Sequence, residues 1–282
     1  MSQEDYTAAV ETARAYYNSE DADTFYFTIW GGEDLHIGMY ESEDEPIFDA
    51  SVRTVHHMAD LVKRPIDERT RVCDIGGGYG GTARHLVKRF GCHVDVLNLS
   101  EVENERDRQM NKEQGVDHLI DVYDGSFDGT PFDASSFDLV WCQDSILHAD
   151  DRAAVLKEVD RILKPGGEFI FTDPMQTDNV PEGVLDPILA RIHLPSLGSV
   201  SFYRETAKQL GWEDLGFDDH TPQLPRHYGR VLEELESREH ELQGKVSDEY
   251  ISNMKTGLRH WVDGGNSGYL AWGALHFRKP EA

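Results

Sequence analysis

Lysine is scarce in this chain. Nine lysines accompany 18 arginines in 282 residues, and these 27 basic side chains face 53 Asp and Glu, for a formal net charge of −26. Such a balance repels a polyanion or an anionic membrane surface, so neither nucleic acid nor membrane is an expected partner. Cysteine is sparse too. Cys73, Cys92 and Cys142 are odd in number and form no close ligand pair, which argues against a secreted disulfide framework and leaves buried strand residues in a reducing compartment as the expected reading. No run approaches ~18 uninterrupted apolar residues, and the N-terminal MSQEDYTAAVE has neither a basic nor an apolar leader region. A soluble cytoplasmic protein is expected. Hydrophobic residues at 39% and aromatics at 10% suffice for a core, over a length that fits one elaborated α/β domain or two small ones.

The acidity is uneven: residues 1–50 hold 13 Asp/Glu and one basic residue, Arg14. A carboxylate-rich, lysine-poor surface suits the salty cytoplasm of a halophile, where screening removes most of the self-repulsion; an ordinary acidic enzyme fits the same composition.

Apolar spacing predicts a helix over residues 4–18 that ends in the turn-rich NSEDAD, an irregular segment over 30–45 and a second helix over 51–62. From 71 to 174 the chain alternates RVCDI, TARHLVKRF, HVDVLNL, EVENERDRQMNKEQG, LIDVYD, FDLVWC, RAAVLKEVDRIL and GEFIFTD. That β-α-β-α-β-β-α-β order is the sequence form of a doubly wound parallel sheet. Helices over 184–193 and 203–210, a strand over 213–217, two long polar helices over 223–243 and 247–262, and a final strand over 269–277 follow. The expected organisation is an N-terminal helix and lid (1–50), a core (51–221), a helical cap insertion (222–264) and a last strand returning to the sheet (265–282). Segments 1–50 and 222–264 would together roof the C-terminal edge of the sheet, where ligands of open α/β sheets bind.

The strongest signal is Asp74-Ile75-Gly76-Gly77-Gly78-Tyr79-Gly80-Gly81, between the first strand and a helix. Glycines let the backbone turn tightly and approach a ligand at a helix N-terminus. Gly76-x-Gly78-x-x-Gly81 also satisfies a dinucleotide fingerprint, but two residues weigh against NAD. Asp74 would sit close to a pyrophosphate, whereas it attracts a cationic amino group. Asn98 ends the second strand where a dinucleotide enzyme wants an acid for the ribose.

With VDVLNLS, VYDGSFDGTPFDASSFDLVWCQDSILH and EVDRILKPGGEFIFTDPM added, residues ~70–175 resemble the class I S-adenosylmethionine-dependent methyltransferases. The resemblance implies an α/β, Rossmann-like sheet with an N-terminal helical lid and a C-terminal helical insertion before the last strand. It implies S-adenosylmethionine as cofactor, with Asp74, Gly76 and Gly78 at the methionine end, Asn98 at the ribose, and Asp124, Gly125 and Ser126 beside the adenine. FYFTIWGGEDLHIGMYE, CQDSILHADD, TDPM and HWVDGGNSGYLAWGALHFRK are similar to the sarcosine/dimethylglycine N-methyltransferases that make glycine betaine, an osmoprotectant, over essentially the whole chain. The phosphoethanolamine methyltransferases are a more distant likeness.

Methyl transfer from a sulfonium to a neutral amine needs a proton acceptor, an aromatic wall for the cation formed, and an anchor for the substrate carboxylate. His148 lies four residues after Asp144 beyond strand four and is the candidate acceptor. The distant likeness pairs it with Tyr17, at the cost of a one-residue gap that leaves Tyr16 open; packing or capping roles remain the alternatives. Tyr26, Trp30, His36 and Ile37 fall where related enzymes close over the cofactor, Trp30 being either a cation-π face or a hydrophobic plug. Gln143 and Asp144 can reach both the methionine end and the acceptor. A bidentate Arg is the expected carboxylate anchor, from Arg191, Arg204 or Arg226, and the resemblance favours Arg191 with His227 and Tyr228. No metal is expected, and His56-His57 reads as a solvated pair. The Glu-rich run from Glu233 to Glu241 reads as an exposed helix face. Two rivals stand beside this reading, a methyltransferase of another small amine such as phosphoethanolamine and a nucleotide-binding module without turnover.

Overall fold

The computed structural model describes residues 8–192 and 194–281. Helices α1 (Ala8–Tyr17) and α2 (Glu20–Phe25) run into a π-helical turn at Tyr26–Trp30, and α3 (Ile47–Leu61) follows an irregular loop. The parallel units come next: β1 (Arg71–Ile75), α4 (Gly81–Phe90), β2 (His93–Asn98), α5 (Glu101–Glu113), β3 (Ile120–Asp124), β4 (Phe137–Gln143), a 3-10 turn at Ile146–His148, α6 (Arg152–Ile162) and β5 (Leu163–Thr172). The last third holds β6 (Met175–Gln176), α7 (Asp186–Arg191), α8 (Val200–Gln209), β7 (Glu213–Asp219), α9 (Gln223–Leu242), α10 (Asp248–Asn266), β8 (Leu270–Ala271) and β9 (Gly273–Arg278).

Seven strands form one sheet in the order β3-β2-β1-β4-β5-β9-β7. The first five are mutually parallel, and β9 runs antiparallel to both β5 and β7. All seven residues of β4 are buried, as a strand covered on both faces requires. Alternate residues serve opposite faces: Val72, Val94, Leu139 and Trp141 pack with Val55, Met58 and Leu86, while Cys73, Ile75, Val140 and Cys142 pack with Val155, Leu156 and Val159. A third core stands apart from these two. Phe25, Ile29 and Trp30 join Tyr228, Val231, Met254, Leu258 and Trp261, with Leu147 and Trp272 from the ends of the sheet strands. The N-terminal segment and the α9–α10 pair thus share one apolar interior. Strand order reverses between β1 and β4, and the loops leaving these strands open the crevice in which such sheets bind ligands.

The structure differs from the sequence reading in several places, and the expected final strand over 269–277 is broken into β8, which pairs with β6, and β9. NSEDAD is a helix start: Ser19 Oγ accepts from the Ala22 N–H at 3.2 Å, and Glu20, Asp21 and Asp23 occupy the favoured acidic first turn of α2. α3 begins at Ile47 rather than at residue 51. α10 runs past Val262 through Gly264 and Gly265, because these glycines are packing contacts: an added Cβ would come within 2.8 Å of Ile188 at one and of Pro225 at the other. Cys92 precedes β2 instead of lying in it, although all three cysteines are buried and free. The expected starts of the first helix at 4–7 and the end of the helix at His193 lie outside the described residues. Among the described residues no helix is long and apolar enough to cross a membrane.

Candidate active site

The loop after β1 is held by its neighbours. The Gly76 N–H donates to Leu97 O at 2.7 Å, φ is +74°, and an added Cβ would meet Ser145 Cβ at 2.5 Å, so only glycine fits. Gly78, at φ +54°, faces Leu35 of the N-terminal loop 3.5 Å from where a Cβ would stand. Asp74 is 2% exposed, and its Oδ2 has no hydrogen-bond partner among the described residues. Burial, with the charge of Asp107 adding, pushes its carboxyl up to about 7. A cationic amino group is the counter-charge this buried acceptor calls for. Gln143 is oriented by Thr82 and Trp141, which both donate to its Oε1 at 2.8 Å, leaving its buried amide nitrogen a donor without a partner among the described residues.

The remaining cofactor candidates lie along the adjoining strand ends. Asn98 donates its amide to Glu103 Oε2 at 2.8 Å, and burial raises the Glu103 carboxyl to about 7. Asp124 is exposed at the end of β3, accepting from Asn104 at 2.7 Å; the Gly125 N–H donates to Asn98 O, and Ser126 follows in the same turn. His36 is buried with Nε2 3.4 Å from Asp34; burial alone would lower its pKa, but the Asp34 carboxylate outweighs it and the net shift is upward. Ile37 donates its N–H to Asp144 Oδ2 at 2.7 Å.

Acidic residues of the N-terminal segment clasp this loop. Tyr79 donates to Asp23 at 2.8 Å, Arg106 pairs with Asp23, and the fully buried Arg84 bridges Glu33 at 2.7 Å and Asp107 at 2.8 Å. Glu103 and Asp107 escaped the sequence reading because the polar helix α5 gives no sign of which side chains it buries, and Arg84 because its partners come from other elements.

Across the crevice, the Tyr17 hydroxyl lies 3.1 Å from His148 Nε2, whereas the Tyr16 hydroxyl lies 2.9 Å from that of Tyr250. The gap left open in the sequence thus closes on Tyr17. Burial, and then the charge of Arg152, lowers His148 to about 4, so the ring is neutral at ordinary pH. Its turn is pinned from beneath: the Leu147 N–H donates to Asp173 Oδ1 at 2.9 Å, and Asp173 Oδ2 accepts from Tyr203 at 2.6 Å. Asp144 adopts φ +51°, rare for a non-glycine residue, and accepts from Trp272 Nε1 at 2.8 Å as well as from Ile37.

Tyr26 and Trp30 extend the aromatic wall, with ring centroids 5.2 Å apart and Tyr17 5.9 Å from Tyr26. Trp30 meets His227 edge-on at 5.3 Å, and Tyr228 stacks on Trp261 at 4.9 Å. Nδ1 of His227 faces the Gly38 N–H at 3.1 Å and the Tyr40 hydroxyl at 2.8 Å, and burial lowers the ring to about 3. The neutral ring therefore carries its proton on Nε2. That N–H and the Trp30 indole N–H are both buried without a partner among the described residues, two donors on neighbouring rings.

Two of the arginine candidates are elsewhere. Arg204 pairs with exposed Asp214, and Arg226 donates to Tyr40 O at 3.2 Å. Arg191 ends α7, and its side chain lies outside the described part.

A glycine loop after β1, a buried acid behind it and a switch point between β1 and β4 define an S-adenosylmethionine-dependent methyltransferase; the family description "Methyltransferase domain" matches residues 73–171. The sarcosine/dimethylglycine N-methyltransferase of Halorhodospira halochloris is 63% identical over 271 residues, 96% of this chain and 97% of its own. That of Aphanothece halophytica is 58% identical over 273 residues, 97% of this chain and 98% of its own. A crystal structure from Galdieria sulphuraria, described as a sarcosine dimethylglycine methyltransferase, superposes with a TM-score of 0.88 at 39% identity, covering 95% of this chain and 100% of that one. The chain belongs to the sarcosine/dimethylglycine N-methyltransferase family, whose cofactor is S-adenosylmethionine.

Proposed function

We propose that this enzyme methylates sarcosine and N,N-dimethylglycine, ending at glycine betaine, and that Tyr17 and His148 manage the amine while His227 and Trp30 hold the carboxylate. The observation that carries the reading is the Tyr17–His148 contact at the end of β4, facing an aromatic wall with two buried unpartnered N–H donors. When bound, S-adenosylmethionine supplies an electrophilic methyl group. Asp74 would hold its amino group, Gly76 and Gly78 would let the backbone come close to it, and Asn98 and Asp124 would serve its ribose and adenine.

An alkylammonium ionises near pH ~10, so His148, lowered to about 4, does not strip the proton from it. His148 instead stays a neutral acceptor. It orients the neutral amine directly or through the Tyr17 hydroxyl, so that the nitrogen lone pair faces the methyl donor. The ammonium proton of sarcosine, and then that of the dimethylglycine formed from it, is given up to water before each transfer, and betaine has none to lose. The quaternary nitrogen is then met by the faces of Tyr17, Tyr26 and Trp30. We place this chemistry in the cytoplasm, away from nucleic acid and membranes, on the charge of −26 and the three free cysteines.

An acceptor screen following S-adenosylhomocysteine formation tests the reading. Sarcosine and dimethylglycine are expected to turn over and phosphoethanolamine is not; faster turnover of phosphoethanolamine than of either would overturn it.

A further inference from the structure

In the sequence the carboxylate at helical spacing from His57 is Asp60, which pairs with Arg89, but the fold brings two other partners. α3 carries His57 to the end of β7, where Asp218 stands, and the chain leaving that strand turns back with His220. Asp218 Oδ2 lies 2.5 Å from His57 Nε2 and 2.9 Å from His220 Nε2. One ligand atom from each of the three lies within 4.8 Å of the others, and the two imidazoles stand edge to face with centroids 5.0 Å apart.

We propose that His57, Asp218 and His220 bind one divalent transition-metal ion of the zinc type, at a site separate from the methyl-transfer crevice. Two imidazole nitrogens and one carboxylate oxygen suit zinc and its neighbours, whereas magnesium and calcium seek oxygen-only shells. Around a tetrahedral ion with bonds of ~2.0–2.1 Å, ligand atoms stand ~3.3 Å apart. Asp218 Oδ2 stands within ~1 Å of that spacing from both nitrogens. Side-chain exposures of 33%, 40% and 27% give an ion a direct path from water and leave room for a water as fourth ligand. The backbones are firm: Asp218 pairs with Ala274 in the sheet, and the His220 N–H donates to Trp272 O at 3.0 Å. A bound ion would fasten α3 to the sheet edge and favour the folded state by simple linkage.

The test is titration of chelator-treated, metal-free protein with zinc, followed by calorimetry and thermal melting, and with cobalt, followed by its visible absorption. Wild type is expected to take up one equivalent and to melt at a higher temperature with it. His57→Ala and His220→Ala should each weaken uptake ~100-fold or more and lose the melting shift, while His56→Ala keeps both. All three should bind S-adenosylmethionine as wild type does, which separates this site from the proposed activity. The proposal fails if folded wild type takes up no stoichiometric zinc, or if His57→Ala and His220→Ala bind it as tightly as wild type.

Discussion

On the cofactor side of the crevice, Asp74, Gly76 and Gly78 lie on one short stretch leaving β1; on the acceptor side, Tyr17 reaches across 131 positions to His148 and Gly38 across 189 to His227. The first half is a local device whose geometry is written into consecutive residues. The second exists only after α1, the Ile146–His148 turn and α9 have packed, through the third core of Phe25, Trp30, Tyr228 and Trp261. Variants in the first half should therefore act on cofactor affinity, and variants in the second on the acceptor alone.

The largest effect is expected at Gly76→Ala. The added Cβ meets Ser145 at 2.5 Å with φ at +74°, so stability should fall by about 2 kcal/mol and cofactor binding should vanish, read by denaturant melts and calorimetry. Wild-type binding should also depend on pH. Asp74, raised to about 7, is charged only above that pH, so affinity for S-adenosylmethionine should climb through pH 6–8 with proton release on the acid side. Asp74→Asn should weaken binding and flatten that dependence; an unchanged slope in the variant would assign the titration elsewhere.

His148→Ala comes next. It should lower kcat by about 10²-fold with cofactor affinity unchanged, while the rise of rate with pH persists because it belongs to the amine. Loss of a limb near pH 6–7 would show that His148 titrates as a base and would sink the role given to it. His227→Ala and Trp30→Phe should each raise KM for dimethylglycine about tenfold, the second removing the N–H while keeping a ring; a fall in kcat alone would contradict carboxylate binding. The smallest effects separate neighbours: Tyr17→Phe is expected to cost about tenfold in kcat, Tyr16→Phe very little, and Arg204→Ala less than twofold, since its ion pair is at the surface.

The same contrast governs what could be read before the structure. Strands β1, β2, β4 and β5 and the glycine loop were legible because burial on both faces leaves apolar runs, and a tight turn needs glycine. Helices α9 and α10 were legible as helices, yet the glycines of α10 misled about its end, since close approach to Ile188 and Pro225 and chain reversal call for the same residue. His148 and Tyr17 came into view through resemblance and chemistry, and only the fold separated Tyr17 from Tyr16. Asp173, which pins the His148 turn, and Asp218 beside His57 were invisible as partners, because nothing in local spacing announces a contact across 26 or 161 positions.

The excess of carboxylates, 13 Asp and Glu against Arg14 in residues 1–50 alone, has a consequence for traffic. S-adenosylmethionine carries one net positive charge, its spent form carries none, and both amine substrate and betaine are zwitterions without net charge. Of these four molecules, the field of a chain at −26 acts at long range on the fresh methyl donor alone. The net charge thus favours charged over discharged cofactor before any contact is made. Added salt should erode that preference, so the ratio of the two affinities is expected to drift toward the by-product as ionic strength rises.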